Sequence, residues 1–362
     1  MNDLKSVPRQ AGGYKMINEA EFKNFRGYKN AKLKDCRRIN LIVGENGIGK
    51  TSLLEGLFLA AGGSVEVALR LRQWRGYEPS SVPHTIELEE SLWRDFFHNF
   101  DKKTTVSISL VGTEYRNRAM TIKFNDLNPS TIQISRKGKS EDVDVAPITF
   151  DWIGPLGRRA IVKPKIKDGK LQLPPVAILP EETYFFAASH NYSASETASR
   201  FSELSKTFQE KKVVRRFQQH FPDVSDLSIE IIGGTPMVCA KYHDLPEKVP
   251  LNLISSGMSK IASILFAIGS KKGSVLLIDE IENGVFHERL PIFWESLLDF
   301  CEANDSQVFA STHSGECIDA AGELAAKHPD EFCLIQPNGR GELNQVSGKN
   351  FQAAIKNKIE IR

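Results

Sequence analysis

The chain has 362 residues, enough for two or so structural units and a continuous core. A hydrophobic share of 41%, a charged share of 25% and 17 prolines fit soluble globular proteins and exclude collagen-like, disordered and membrane-spanning chains. With 47 Lys and Arg against 45 Asp and Glu, the formal charge is +2, which excludes holding nucleic acid or acidic lipid through bulk charge and leaves only local basic patches.

The longest strongly apolar stretch, Ile261–Ile268, falls far short of the about twenty residues a bilayer requires. The opening Met1-Asn2-Asp3-Leu4-Lys5 is no secretory signal, so a cytoplasmic protein without membrane partners is expected. Cys36, Cys239, Cys301, Cys317 and Cys333 are scattered and form no C-x-x-C pair, which points to neither a disulfide framework nor a zinc site.

Residues 1–13, with Pro8, Gly12 and Gly13, read as a flexible tail. Met16–Phe25 and Arg38–Val43 read as strands joined by a turn over Arg26–Asn30. A helix follows over Thr51–Ala61 and stops at Gly62-Gly63. Alternating runs such as Thr104–Leu110 and Met120–Phe124 make residues 82–180 a β-rich, antiparallel region. Within residues 181–224, Ser193–Phe221 reads as one helix, the body of a helical insertion. Strands over Leu227–Ile232 and Met237–Tyr242 flank Gly233-Gly234-Thr235-Pro236. Beyond Pro250 come a helix (Ser256–Gly269), an apolar strand (Val275–Ile278), a helix (Arg289–Ala303) and a strand (Gln307–Ala310). This alternation predicts an α/β fold with a mixed or parallel core sheet, its two halves being residues 14–81 and 225–362.

The segment Gly44-Glu45-Asn46-Gly47-Ile48-Gly49-Lys50-Thr51 fits G-x-x-x-x-G-K-[ST] completely, with a strand before it and a helix after it. Glycines let backbone N–H groups wrap phosphates, with Asn46, Gly47 and Ser52 in the same cradle. Lys50 would reach the β- and γ-phosphates of ATP, and the Thr51 hydroxyl would ligate Mg²⁺. Val275-Leu276-Leu277-Ile278-Asp279-Glu280 supplies the second carboxylate: Asp279 for the metal and Glu280 to polarise the attacking water.

Leu253-Ile254-Ser255-Ser256-Gly257-Met258-Ser259-Lys260 resembles the signature motif of ABC-type ATPases, and Ser311-Thr312-His313-Ser314 resembles their switch histidine. That resemblance implies an ABC-type P-loop NTPase head in which Ser256 and Gly257 contact the γ-phosphate held by another subunit. A homodimer or higher homo-oligomer with composite ATP sites follows. His313 would sense the γ-phosphate.

Ile278–His287 and Phe22-Lys23-Asn24-Phe25-Arg26 look like the ATPase heads of the overcoming-lysogenisation-defect (OLD) group, common in prokaryotic antiphage defence. The likeness spans about residues 14–62 and 225–345. Many OLD proteins carry a C-terminal Toprim nuclease, and this chain ends too soon after His313 to hold one, so the resemblance implies a separately encoded nuclease or toxin effector. Asp142-Val143-Asp144 has nuclease-like spacing and is read as a solvated loop. Gln73 and Gln133 are weak Q-loop candidates. Basic groups at Arg158–Lys170 and Lys211–Arg216 are candidate contact surfaces for nucleic acid or a partner, and Arg70, Arg72 and Arg75, beside Trp74 and soon after the P-loop helix, are candidates to reach bound nucleotide. Two rival readings stay open: a RecF-like, ATP-dependent DNA repair clamp, and a scaffold that uses nucleotide as assembly glue. The external partner stays open between DNA and a phage protein.

Overall fold

A tight hairpin leads into the core. In the computed structural model, whose described residues are 16–76, 92–112, 117–125, 148–154, 157–167, 170–172, 183–188 and 193–356, β1 (Ile17–Phe25) turns at Arg26-Gly27 into β2 (Tyr28–Leu33). Only then does β3 (Ile39–Val43) begin, in a different sheet. The expected turn over Arg26–Asn30 is thus two residues long. Buried Tyr28, Ala31 and Leu33 interleave with exposed Lys29, Asn30 and Lys32, which makes its second part a half-buried strand.

Helix α1 (Lys50–Gly62) follows β3 and ends where Gly63, at φ 60°, supplies the left-handed C-cap. After α2 (Val65–Trp74) come β4 (Val106–Gly112), β5 (Arg118–Phe124), β6 (Ile148–Ile153) and β7 (Arg159–Val162). They extend the first hairpin into an antiparallel sheet of order β2-β1-β4-β5-β6-β7. Strands β8 (Lys165–Lys167) and β9 (Lys170–Gln172) form a separate small ribbon.

Next in the chain are β10 (Thr183–Phe186), α3 (Ala194–Lys206), α4 (Glu210–His220), β11 (Val224–Ile232), β12 (Thr235–Tyr242) and β13 (Val249–Pro250). The stretch read as one helix over Ser193–Phe221 is two, because Phe208 adopts φ 58° and the Gln209 N–H closes back on the Leu204 carbonyl. Thr183–Phe186, inside the stretch expected to be a helical insertion, pairs in parallel with the strand that carries Asp279.

The C-terminal half adds α5 (Leu251–Ile254), α6 (Ser256–Ser270), β14 (Val275–Ile278), α7 (Leu290–Ala303), β15 (Gln307–Thr312) and α8 (Gly315–Lys327). It closes with β16 (Phe332–Pro337), β17 (Leu343–Ser347) and α9 (Gly348–Lys356), and neither strand of this last pair is legible from alternation. The core sheet has the order β10-β14-β15-β3-β16-β17, parallel except for β17, and is therefore mixed.

Two cores share that sheet. Leu41, Leu276 and Ile278 face the helices α3 to α9, whereas Ile42, Val275 and Leu277 face α1 and the antiparallel sheet behind it. Strands covered on both faces read as continuous apolar runs, as β3 and β14 do. Helix α1 is apolar nearly all round for the same reason, with Leu53, Leu54, Leu57 and Leu59 buried. All five cysteines are buried and unpaired. Among the described residues no helix is long and apolar enough to cross a membrane.

Candidate nucleotide-binding site

The order of the core sheet brings the motifs together. Strand β15 lies between β3 and β14, so the P-loop after β3, Asp279-Glu280 after β14 and His313 after β15 all leave the same carboxyl edge. The β3 and β14 ends are two strand spacings apart, about 10 Å. This edge is where parallel α/β sheets place ligands.

In the P-loop, Gly44, Gly47 and Gly49 have φ of 139°, 82° and 114°, a backbone region closed to most side chains. At Gly49 a Cβ would come within 2.7 Å of the Tyr28 hydroxyl, which donates to the Gly49 carbonyl at 3.0 Å. Burial pushes the Tyr28 phenol up, so it stays a donor. Asn46 and Gly47 are exposed and Ser52 is half-buried in the first turn of α1. The buried Lys50 ammonium donates to the carbonyls of Gly44 (2.5 Å) and Glu45 (2.8 Å). Burial lowers its pKa, opposed by Asp279, Glu280 and Glu282.

The Thr51 hydroxyl faces Asp279, with Oγ1 3.1 and 3.0 Å from its two carboxylate oxygens. Ser311 donates to Asp279 Oδ1 at 2.5 Å. Burial raises the Asp279 pKa, while the Ser311 and Thr51 hydrogen bonds pull it down. A hydroxyl and a carboxylate are hard oxygen donors that fit Mg²⁺, which takes few protein ligands alongside water and phosphate oxygens. Among the described residues no group of three or more His, Cys, Asp or Glu side chains gathers as a protein-only metal cage. The glycine cradle, Lys50 and this pair therefore fit ATP with Mg²⁺.

Glu280 is held at three points. It sits at φ 47°, a strained conformation for this residue. Its N–H donates to Ser311 Oγ (2.9 Å), its carbonyl accepts from Lys260 Nζ (2.6 Å) and its Oε2 accepts from Asn283 Nδ2 (2.6 Å). Ser311 therefore touches both Asp279 and Glu280. Lys260 comes from α6 and is 8% exposed; burial lowers its pKa to about 8.

His313 pairs with Glu282: Nδ1 lies 3.1 Å from Oε1, and the His313 backbone N–H donates to the same oxygen. Ser256 is exposed in the first turn of α6, after the cap residue Ser255, whose hydroxyl accepts from the Gly257 N–H. Gly257 is buried against Gly284, where an added Cβ would come within 1.7 Å of the Gly284 carbonyl oxygen. No hydrogen bond among the described residues joins Ser256 or Gly257 to the P-loop of the same chain. Around them Leu253 is 74% exposed and Phe286 57% exposed.

Behind the Thr51–Asp279 contact, a cavity of about 270 Å³ is lined by Thr51, Asp279, Glu55, Arg75, Trp74 and Phe185, among others. Buried Glu55 accepts from Arg26 Nη1 (2.9 Å) and, in bidentate fashion, from Arg75 (2.8 and 3.0 Å). Burial lowers the Arg26 pKa to about 10, with Glu55 opposing. Of the basic groups singled out in sequence, Arg72 pairs with Asp95, Arg159 with Asp151 and Arg216 with Asp299. Gln73 is exposed on α2, and Gln133, Asp142, Asp144 and the 1–13 tail lie outside the described residues. Sequence reasoning passed over Ser311, Lys260, Asn283, Glu282 and Glu55. For the first four the available signal was their place in or beside the motifs already identified.

Fold and site together define an α/β P-loop NTPase with a mixed core sheet. Residues 39–319 match the family described as "AAA domain, putative AbiEii toxin, Type IV TA system", and the chain belongs to it. An "ATP/GTP phosphatase" of Helicobacter pylori is 22% identical over 96% of this chain and 100% of its own length. A "DNA replication and repair protein RecF" of Acetivibrio thermocellus is 27% identical over 38% of this chain and 39% of its own length. Among solved structures, an SMC head bound to the C-winged helix domain of ScpA matches with TM-score 0.48 and 13% identity, over 93% of this chain and 99% of that one. A structure of RecF with ATP matches with TM-score 0.46, 13% identity and 94% and 100% coverage.

Proposed function

We propose that two copies of this chain close on two ATP molecules and hydrolyse them, and that closure controls a separately encoded nuclease or toxin in antiviral defence. The observation that carries the composite site is the placement of Ser256. It is exposed at the N-terminus of α6, in a region with exposed Leu253 and Phe286, and it has no bond to its own P-loop. A helix N-terminus of this kind favours an anion, which a facing subunit's nucleotide would provide.

Within each site, the P-loop amides and Lys50 would hold the phosphates, and Thr51 and Asp279 would hold Mg²⁺. Bound Mg²⁺ supplies positive charge against the triphosphate. Lys50 must leave the Gly44 and Glu45 carbonyls to serve the phosphates, an exchange of acceptors within reach of its flexible stem. Glu280 accepts a proton from the attacking water at its carboxylate, which Asn283 orients. His313 would report on the γ-phosphate, with Glu282 fixing the ring. The reaction is ATP and water to ADP and phosphate. A place in a system of this kind is supported by the family description, which names a toxin and a TA system, and the defence role by the OLD-like run Ile278–His287.

Mixing two inactive variants tests the composite site. Lys50→Ala and Ser256→Arg should each abolish hydrolysis, and their mixture should regain up to roughly a quarter of wild-type turnover through mixed dimers with one intact site. A mixture as inactive as its components contradicts the reading. The partial likeness to a RecF protein keeps DNA as a second reading. Turnover stimulated by duplex DNA in a strongly salt-sensitive way would favour it.

A further inference from the structure

Among the described residues strand β11 has a free edge, and Pro236 fixes which backbone groups lie on it. There β11 pairs with β12 alone, antiparallel, and Ile231 stands opposite Pro236. Proline has no N–H, so Ile231 and Pro236 cannot exchange the two ladder bonds. Bonded and non-bonded pairs alternate along an antiparallel ladder. Ser228, Glu230 and Ile232 therefore bond to β12, and Leu227, Ile229 and Ile231 turn their N–H and C=O groups outward.

The start of this edge is covered. Gln218 donates to the Ser225 carbonyl at 2.8 Å, the Leu227 N–H donates to the Asp226 carboxylate at 2.8 Å, and an irregularity lies between Val224 and Asp226. Side chains and bulges of this kind are how natural proteins blunt an edge. From the Leu227 carbonyl to Ile231 the described residues offer no hydrogen-bond partner, and the Ile231 side chain is 77% exposed. That open run of five residues spans about 16 Å.

Alongside it lies a groove of about 560 Å³ between β11 and the helices α3 and α4, walled by Phe201, Ser205, Val214, Lys211 and Arg215. Two carboxylates, Glu210 and Asp226, also line it, and Asp226 is engaged on the Leu227 N–H. Glu210 lies half-buried in the first turn of α4, and its Oε2 is buried without a hydrogen-bond partner among the described residues. Lys211 and Arg215 are exposed, one helical turn apart, and have no ion pair or hydrogen bond among the described residues. Their neighbours are engaged elsewhere, Lys212 over the Phe300 ring and Arg216 on Asp299. Of the four charged side chains on the groove, the exposed ones without a partner among the described residues are the two cations, Lys211 and Arg215.

We propose that the edge from Leu227 to Ile231 accepts an extended segment of a partner protein, added as a fourth strand, with acidic side chains set against Lys211 and Arg215. Main-chain bonds give such a complex its affinity, and the flanking charges choose the sequence. The docking does not depend on the nucleotide site.

The test uses the full chain without nucleotide and two fluorescein-labelled heptapeptides, one alternating valine with glutamate and one alternating valine with lysine. Anisotropy should show saturable binding of the glutamate peptide, at least about 10-fold tighter than of the lysine peptide. Backbone amide exchange should slow at Ile229 and Ile231. The double variant Lys211→Glu, Arg215→Glu should reverse the preference. Ile231→Pro removes an outward N–H without touching the ladder and should weaken binding about 10-fold or more. Absence of saturable binding up to about 1 mM would overturn the proposal. So would equal binding of both peptides, or a dimer of the free chain that Ile231→Pro dissolves, since that would assign the edge to a second copy.

Discussion

Thr51 and Asp279 stand 228 positions apart in the chain, and their side-chain oxygens lie 3.0 Å apart. The contact exists because β3 and β14 flank β15 in one parallel sheet and end at the same edge. Asp279→Asn keeps the shape of this pair and removes the charge. ATP hydrolysis should fall about 100-fold or more, with a higher Mg²⁺ requirement, in steady-state assays across a magnesium titration. An unchanged magnesium dependence would remove Asp279 from the metal site.

Lys260 links α6 to Glu280, donating to its carbonyl at 2.6 Å. Its pKa is lowered by burial from 10.5 to about 8, so it loses its proton as pH rises through about 8. The neutral amine is a weaker donor to the Glu280 carbonyl. Turnover should therefore fall above pH of about 8, and Lys260→Arg, charged throughout, should shift that limb upward. Stability moves the other way. The cost of burying the charged lysine is present below about 8 and is relieved as pH rises toward 10.5, so this residue's contribution to folding improves over that window. A pH–rate profile with denaturant melts on both proteins checks both signs; the same limb in Lys260→Arg would assign it to another group, Lys50 included.

Gly257 is required by close approach rather than by its dihedral angles. An added methyl would stand 1.7 Å from the Gly284 carbonyl oxygen, and backbone must shift to admit it. Gly257→Ala should destabilise the fold by about 1–3 kcal/mol and lower turnover more than its effect on stability explains. Gly315→Ala, where nothing lies within 4 Å, is the matched control and should be near neutral in urea melts.

Glu55 is the acceptor for a buried arginine. Replacing it with Ala leaves the Arg26 guanidinium, 8% exposed, with Asp95 at 3.6 Å as its one remaining carboxylate among the described residues. A loss of about 3–5 kcal/mol in chemical denaturation is expected, more than for Arg75→Ala, whose side chain is 43% exposed.

Much of the site was legible because its chemistry is contiguous. The glycine cradle with Lys50 and Thr51, and Asp279-Glu280 behind four apolar residues, can be read without knowing the fold. The clamps on Glu280 were not, since Ser311 and Lys260 reach it only through sheet order and helix placement. Gln307–Ala310 reads as a strand, yet nothing in it says that it lies between β3 and β14 or that it runs on to Thr312. The break between α3 and α4 carries no Gly or Pro; Phe208 takes the left-handed conformation with its ring 84% exposed, against propensity. Strand β10 is four residues long, too short for its period to outweigh the helical pattern that follows.

In the proposed closed form, nucleotide joins two copies through the P-loop of one and Ser256 of the other. Light scattering on Glu280→Gln, with and without ATP and Mg²⁺, tests it most directly, because slowed hydrolysis should trap the closed form. The expected result is a doubled mass only with ATP and Mg²⁺, lost in the Lys50→Ala, Glu280→Gln double variant and after chelation by EDTA. A Glu280→Gln protein that binds ATP and stays monomeric at every concentration would contradict the account.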